Sequence, residues 1–257
     1  SFHSTTYQPM SQNSPELRQR CAHQLEQAAT RATTLRAFIG LDGHLWTVAP
    51  AGGSPRLLLR DAESASPTRD GRTLVVTLRR EGISHVYRSD PRGRGLVRLS
   101  HRPAREGAVA PDGSRAVFVA VDDGSLWAVP LAGGGPVLVS SRAVRFPTFS
   151  GDGRLVAAMD AVPAEFAQRA RVFGPDEREE RVIALPPRSA AFVGGLRFAP
   201  GDRHLDYAHT DEQGVGNIWR VPLDGGAALP LTQFQSEPIG GLDWSADGRA
   251  LICLRGG

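Results

Sequence analysis

A chain of 257 residues can bury one sizeable core, and 40% hydrophobic with 7% aromatic residues is an ordinary globular composition, which excludes a disordered chain. All 30 basic side chains are arginine, the net charge is only +3, and no dense basic run interleaved with aromatics occurs, so the footprint of a nucleic-acid binder is missing. No apolar stretch approaches the ~18 residues that span a bilayer, and Cys21 and Cys253 match no metal-ligand or redox spacing.

In chain order, residues 1–13 form a polar arm without periodicity and without the pattern of a secretory leader. Ser14 reads as a helix N-cap, with Pro15 at the first helical position and Glu16 near the positive end of the dipole. Leu17, Cys21, Leu25, Ala28, Ala32 and Leu35 then fall at steps of four and three. That spacing predicts an amphipathic helix over 15–35, inside a segment spanning 14–36. Its apolar stripe suits either the wall of the following domain or a docking partner, and Leu17, Leu25 and Leu35 are the candidate contact residues.

From residue 40 onward the chain repeats itself. One unit is an apolar run with an aromatic residue followed by a small-residue turn, centred on Trp46, Tyr87, Trp127, Phe173 and Trp219. The separations are 41, 40, 46 and 46 residues, as expected for four-stranded propeller blades. Interleaved with it is a strand–turn–strand unit whose turn glycines are Gly71, Gly113, Gly153 and Gly248, each preceded by aspartate. Asp-Gly supplies the positive φ of a short hairpin. In the remaining copy the order is reversed to Gly201 and Asp202, which predicts a different turn type in an intact hairpin. The expected architecture is all-β: a five-bladed β-propeller over 40–257, closed by pairing the N-terminal strands HLWTVAP and PRLLLR with the C-terminal strands GGLDWSA and ALICLR, and preceded by a helical arm.

These repeats resemble the WD-type repeats of the TolB family, in which a strand ending W/F-S-P-D-G-(K/R) is followed by I/L-W-x-V/M-x-x-x-G-G. The segment from Asn217 to Gly257 matches best, and the repeat near Phe173 is the most decayed. The resemblance implies a propeller of the kind found in periplasmic assembly proteins, in sensor regions of bacterial kinases and regulators, and in gating domains of prolyl-oligopeptidase-like hydrolases.

No nucleophile elbow, P-loop or H-E-x-x-H string occurs, and without lysine there is no Schiff-base chemistry. A non-enzymatic binding scaffold is therefore expected, with no cofactor and no metal. The turn aspartates Asp70, Asp112, Asp152 and Asp247 recur in each repeat, as Asx-turn residues do and a catalytic carboxylate would not. His44, His85, Ser125, Arg171 and Asn217 share one repeat position, where they either cap strand ends or ring a ligand. The inter-blade connections place Arg102, Arg105, Arg142, Arg145 and Arg188 on one face, alternating with Glu81, Asp122, Asp123, Asp211 and Glu212 of a second loop set. Such a rim suits a protein partner, by the resemblance a membrane-associated one.

Overall fold

A computed structural model describes residues 36–40, 42–48, 53–161, 168–174, 179–185, 195–245 and 248–256. The predicted polar arm and the helix over 15–35 lie outside these residues; Arg36, the last residue of the 14–36 segment, opens a strand.

Six antiparallel sheets follow one another along the chain. The first holds β1 (Arg36–Ile39), β2 (Leu45–Val48) and β3 (Arg56–Leu59). Four complete blades come next. Blade 2 is β4 (Ala62–Pro67), β5 (Leu74–Arg80), β6 (Ile83–Ser89) and β7 (Val97–Arg98). Blade 3 is β8 (Ala104–Val109), β9 (Arg115–Ala120), β10 (Leu126–Pro130) and β11 (Val137–Ser140). Blade 4 is β12 (Val144–Phe149), β13 (Val156–Asp160), β14 (Arg169–Phe173) and β15 (Glu179–Ala184). Blade 5 is β16 (Leu196–Phe198), β17 (His204–Thr210), β18 (Gly216–Pro222) and β19 (Leu229–Pro230). A final two-stranded sheet holds β20 (Ile239–Trp244) and β21 (Leu251–Arg255).

Each blade is a meander whose burial falls from inside to outside. The second strands β5, β9 and β13 are buried on both faces because a neighbouring sheet covers each side, so they read as near-continuous apolar runs such as AVFVA in β9. The third strands are less uniformly buried, as in the pattern BiBiiBi of Gly216–Pro222. The outermost strands leave Leu57, Val97, Val137, Val182 and Leu229 exposed. The core is a succession of clusters between adjacent sheets. Val75 and Val86 of blade 2 meet Ala104, Val109 and Phe118 of blade 3. Val117, Val119 and Leu126 of blade 3 meet Val156 and Phe173 of blade 4, and Ile218 of blade 5 meets Ile239 and Leu242 of β20. First strands β4, β8, β12, β16 and β20 approach one another in sequence, which places them nearest the axis.

The aromatic repeat and the hairpin repeat are both present as expected, but the closure is not. β2 is hydrogen-bonded by β3 on one edge and by β1 on the other, with Phe38 opposite Trp46. The sequence RAFI at 36–39 thus fills the edge that the composite blade reserved for ALICLR, and β21 pairs only with β20 among the described residues. Six sheets are described in place of five composite blades.

Candidate functional site

The loops between blades and the turns joining second to third strands lie on the same face, because they hydrogen-bond to each other. Val144 N, at the start of β12 where the connection between blades 3 and 4 ends, donates to Gly124 O of the blade 3 turn at 2.9 Å, and Ala161 N of blade 4 donates to Ala143 O at 2.9 Å. Val121 N to Pro103 O at 3.0 Å and Gly216 N to Glu237 O at 2.9 Å repeat the arrangement. At Gly216 the approach is so close that a Cβ would collide with the main-chain N of Ile239. The shared repeat position adds side-chain ties. His44 Nδ1 accepts from Asp61 N at 3.2 Å, the His85 ring lies 3.0 Å from Ser100 Oγ, and Ser125 Oγ accepts from Trp127 Nε1 at 2.8 Å. Arg171 pairs with Asp160. Asn217 Oδ1 accepts from Thr232 Oγ1 and Phe234 N at 2.9 and 2.7 Å. His44, His85, Ser125 and Asn217 thus fasten turns and loops, while Arg171 ties the middle of β14 to the end of β13.

The predicted arginines are only partly gathered on this face. Arg102 is held by Asp122 and by Asp123 (3.2 Å), so the alternating charges expected of the rim neutralise each other there. Asp123 is kept below the ordinary carboxylate range by hydrogen bonds from the Ser125 hydroxyl and main chain, with Arg102 adding to them. Arg142 is exposed in the connection from blade 3 to blade 4. Arg105 and Arg145 do not stand in loops but are the second residues of the inner strands β8 and β12. Arg105 has its Nε buried without a partner, and Arg145 lies 3.5 Å from Glu106 and over the Phe146 ring. Arg188, Leu17, Leu25 and Leu35 lie outside the described residues. Sequence reading missed the apolar element of the face: Ile83, the first residue of β6, and Val121, in the turn after β9, are 50% and 46% exposed.

A second candidate lies on blade 5, where a cleft of about 490 Å³ is bordered by His209, Asp211, Asn217, Trp219, Phe234 and the glutamines Gln233 and Gln235. His209 stands opposite Asn217 in the β17–β18 register. The equivalent residues of the other blades are Leu78, Ala120 and Ala158, all buried and apolar. His209 is 5% exposed and its Nε2 is buried with no hydrogen-bond partner. Burial holds its pKa below the ordinary histidine value, and the nearby Asp211 offsets this only in part, so the ring is neutral near pH 7. The signal was present in the sequence as a histidine in an apolar register of the repeat.

On the opposite face the turn aspartates have the Asx-turn role expected of them. Asp70 Oδ1 accepts from Arg72 N at 3.0 Å, Asp112 Oδ1 from Ser114 N at 2.9 Å, and Asp152 Oδ1 from Arg154 N at 2.9 Å. Asp247 lies outside the described residues. Among the described residues no group of three or more His, Cys, Asp or Glu is placed to hold a metal ion.

No family model matches the sequence, and no curated protein is similar to it at the level of sequence. Solved structures are similar in fold. TolB from Acinetobacter baumannii is 18% identical with a TM-score of 0.60, covering 74% of this chain but only 49% of its own, so this chain spans about half of that protein. A TolB-type protein of Agrobacterium tumefaciens is 17% identical with a TM-score of 0.65, over 87% of this chain and 86% of its own. Hydrazine synthase from Kuenenia stuttgartiensis is 13% identical with a TM-score of 0.62, over 81% and 66%. The TolB name and an enzyme name on one architecture show that the likeness carries the fold and not the activity. With its meandering blades, inter-sheet cores and Asp-Gly hairpins, this chain is a β-propeller of the TolB-like fold.

Proposed function

We propose that this chain is a non-enzymatic protein-binding scaffold, an accessory subunit of a membrane-associated complex on the extracytoplasmic side of a bacterial membrane. The observation that carries this reading is the pair Ile83 and Val121, large apolar side chains half exposed at the start of β6 and in the turn after β9, where the backbone is fixed by hydrogen bonds. A partner docking there orders little that is not already ordered, which lowers the entropic cost of association. Charged residues flank both in sequence, Arg80 and Glu81 before Ile83 and Asp122 and Asp123 after Val121, with Arg102 paired to the latter two, and a mix of apolar and charged groups of this kind suits a protein interface. The location rests on the likeness to the TolB structures. The 14–36 segment, with Leu17, Leu25 and Leu35, is proposed as a second docking element.

An affinity pull-down from native membrane extract tests the reading. The intact chain is expected to retain a stoichiometric partner, and the double variant Ile83→Asp, Val121→Asp to lose it with its melting temperature unchanged, since both side chains are at the surface. Arg142→Glu should weaken retention in a salt-dependent way if the partner is acidic. Undiminished retention by the double variant, or no stoichiometric partner at all, contradicts the proposal.

A further inference from the structure

The last sheet is half a blade. β20 and β21 flank Gly248 as β8 and β9 flank Gly113, so they are a first and a second strand. The other second strands of this kind, β5, β9, β13 and β17, are each paired on both edges, whereas β21 has only β20 among the described residues. The edge that a third strand covers elsewhere is therefore open, with a row of main-chain N–H and C=O groups facing outward.

The repeat specifies what belongs on that edge. In blades 2 and 3 the residue five places after the turn glycine stands opposite the aromatic of the third strand, Val76 to Tyr87 and Phe118 to Trp127, and Tyr207 to Trp219 repeats the pairing in blade 5. Each of these aromatics packs into the cluster shared with the preceding sheet. The same count from Gly248 reaches Cys253, which with Leu251 already packs on Ala208 and Ile218 of blade 5. An aromatic opposite Cys253 would extend that cluster.

One segment of this chain fits the position. Tyr7, in the run STTYQP at 4–9, stands 39 residues ahead of Trp46, close to the 41 and 40 of the next two steps of the repeat. Thr5, Thr6 and Tyr7 are strand formers, and Pro9 follows the aromatic as Pro130 and Pro222 do at the ends of β10 and β18. The 25 residues at 11–35 lead from there to β1. Even wound as the helix that the sequence predicts over 15–35, they extend about 30 Å. That exceeds the roughly 10 Å between packed sheets, and the first and last sheets are the pair that a ring has to join.

We propose that residues 4–9 close the propeller by adding to β21 as the third strand of the last sheet, with Tyr7 opposite Cys253 and its ring laid against blade 5. This goes beyond the scaffold reading and does not depend on it, because the proposed partner surface is on blades 2 and 3.

Two measurements on the full chain test the proposal. In a Cys21→Ser background, Tyr7→Cys puts a thiol opposite Cys253, and cross-strand Cα separations of about 4.5–5.5 Å fall within the ~4.4–6.8 Å that a disulfide spans. Mild oxidation followed by non-reducing peptide mapping is expected to find an intramolecular link between positions 7 and 253. Thr6→Cys in the same background, on the other face of the strand, is expected to form little of it. Hydrogen exchange gives the second readout. The double variant Thr5→Pro, Thr6→Pro removes an N–H whichever of the two faces β21, and is expected to speed exchange of the outward amides of Leu251–Arg255 about tenfold or more while blades 2–4 stay protected. The proposal is overturned if position 7 forms no link to Cys253, if the links join two molecules, which would make the occupant a second copy of this chain, or if β21 exchanges equally in the wild type and the proline variant.

Discussion

Among single residues, His209 is where fold and chemistry pull in different directions. Its ring is buried, its Nε2 has no partner, and its pKa is pushed down by desolvation. Below the unfolded-state value of about 6.5, the unfolded chain takes up a proton that the folded chain refuses, so its contribution to stability is intact above that pH and falls as the pH drops toward the lowered folded value. His85 acts in the same sense, through burial and then the charge of Arg98. His209→Leu is therefore expected to raise stability at neutral pH by about 1 kcal/mol and to flatten the decline between neutral and mildly acid pH, as measured by melting temperature against pH. A variant less stable than wild type at every pH would contradict this account of the residue. The turn aspartates were legible from their repetition alone. Arg105 and Arg145 were not, because strand boundaries are set by the hydrogen-bond ladder, and a register shift in β8 and β12 draws residues that look like connection into the inner strands.

The hairpin turns are the elements where local sequence and inter-blade packing meet. In the Asp-Gly copies, Gly71, Gly113 and Gly153 take φ of 66°, 73° and 75°, while in the reversed copy Gly201 has φ 88° and Asp202 φ 55°. Asp202 keeps the positive φ of the glycine it replaces, and Gly201 adds a second one position earlier, at the third residue of a type II turn closed by Asp202 N to Ala199 O at 3.0 Å, so the hairpin survives. The reversal also frees the carboxylate. Asp202 accepts from Gly151 N at 2.6 Å and Asp152 N at 3.1 Å, joining the turns of blades 5 and 4, while Arg69 Nη2 reaches Gly151 O at 2.8 Å from blade 2. Asp202→Ala should lose about 1–2 kcal/mol in denaturant unfolding, since it removes the acceptors and puts a Cβ residue without αL tolerance at positive φ. Asp202→Asn should recover most of the loss. Equal stability of the alanine variant and wild type would mean that the strap carries no load. The changed turn was readable from the order Gly-Asp, whereas the strap depends on which turns the ring brings together, which no local pattern contains.

At the scale of the molecule, periodicity revealed the architecture because each blade must bury both faces of its second strand against a neighbour, which imposes the same pattern every 40 to 46 residues. Ring closure was misjudged for the same physical reason. RAFI is too short to stand out as a strand, yet an unpaired edge on β2 is costly and RAFI is near enough to fill it. Binding surfaces were less legible still. Of the arginines that stood out in the sequence, Arg102 and Arg145 are engaged by Asp122, Asp123 and Glu106, and the face is instead distinguished by two apolar side chains, Ile83 and Val121, on separate blades. Hydrogen–deuterium exchange of the chain, free and in the complex recovered from membrane extract, tests this most directly. The account predicts new protection at the turns around Ile83 and Val121 and in the connection from Ser100 to Pro103, with the outer strands unchanged. Protection confined to the outer strands, or none on that face, would contradict it.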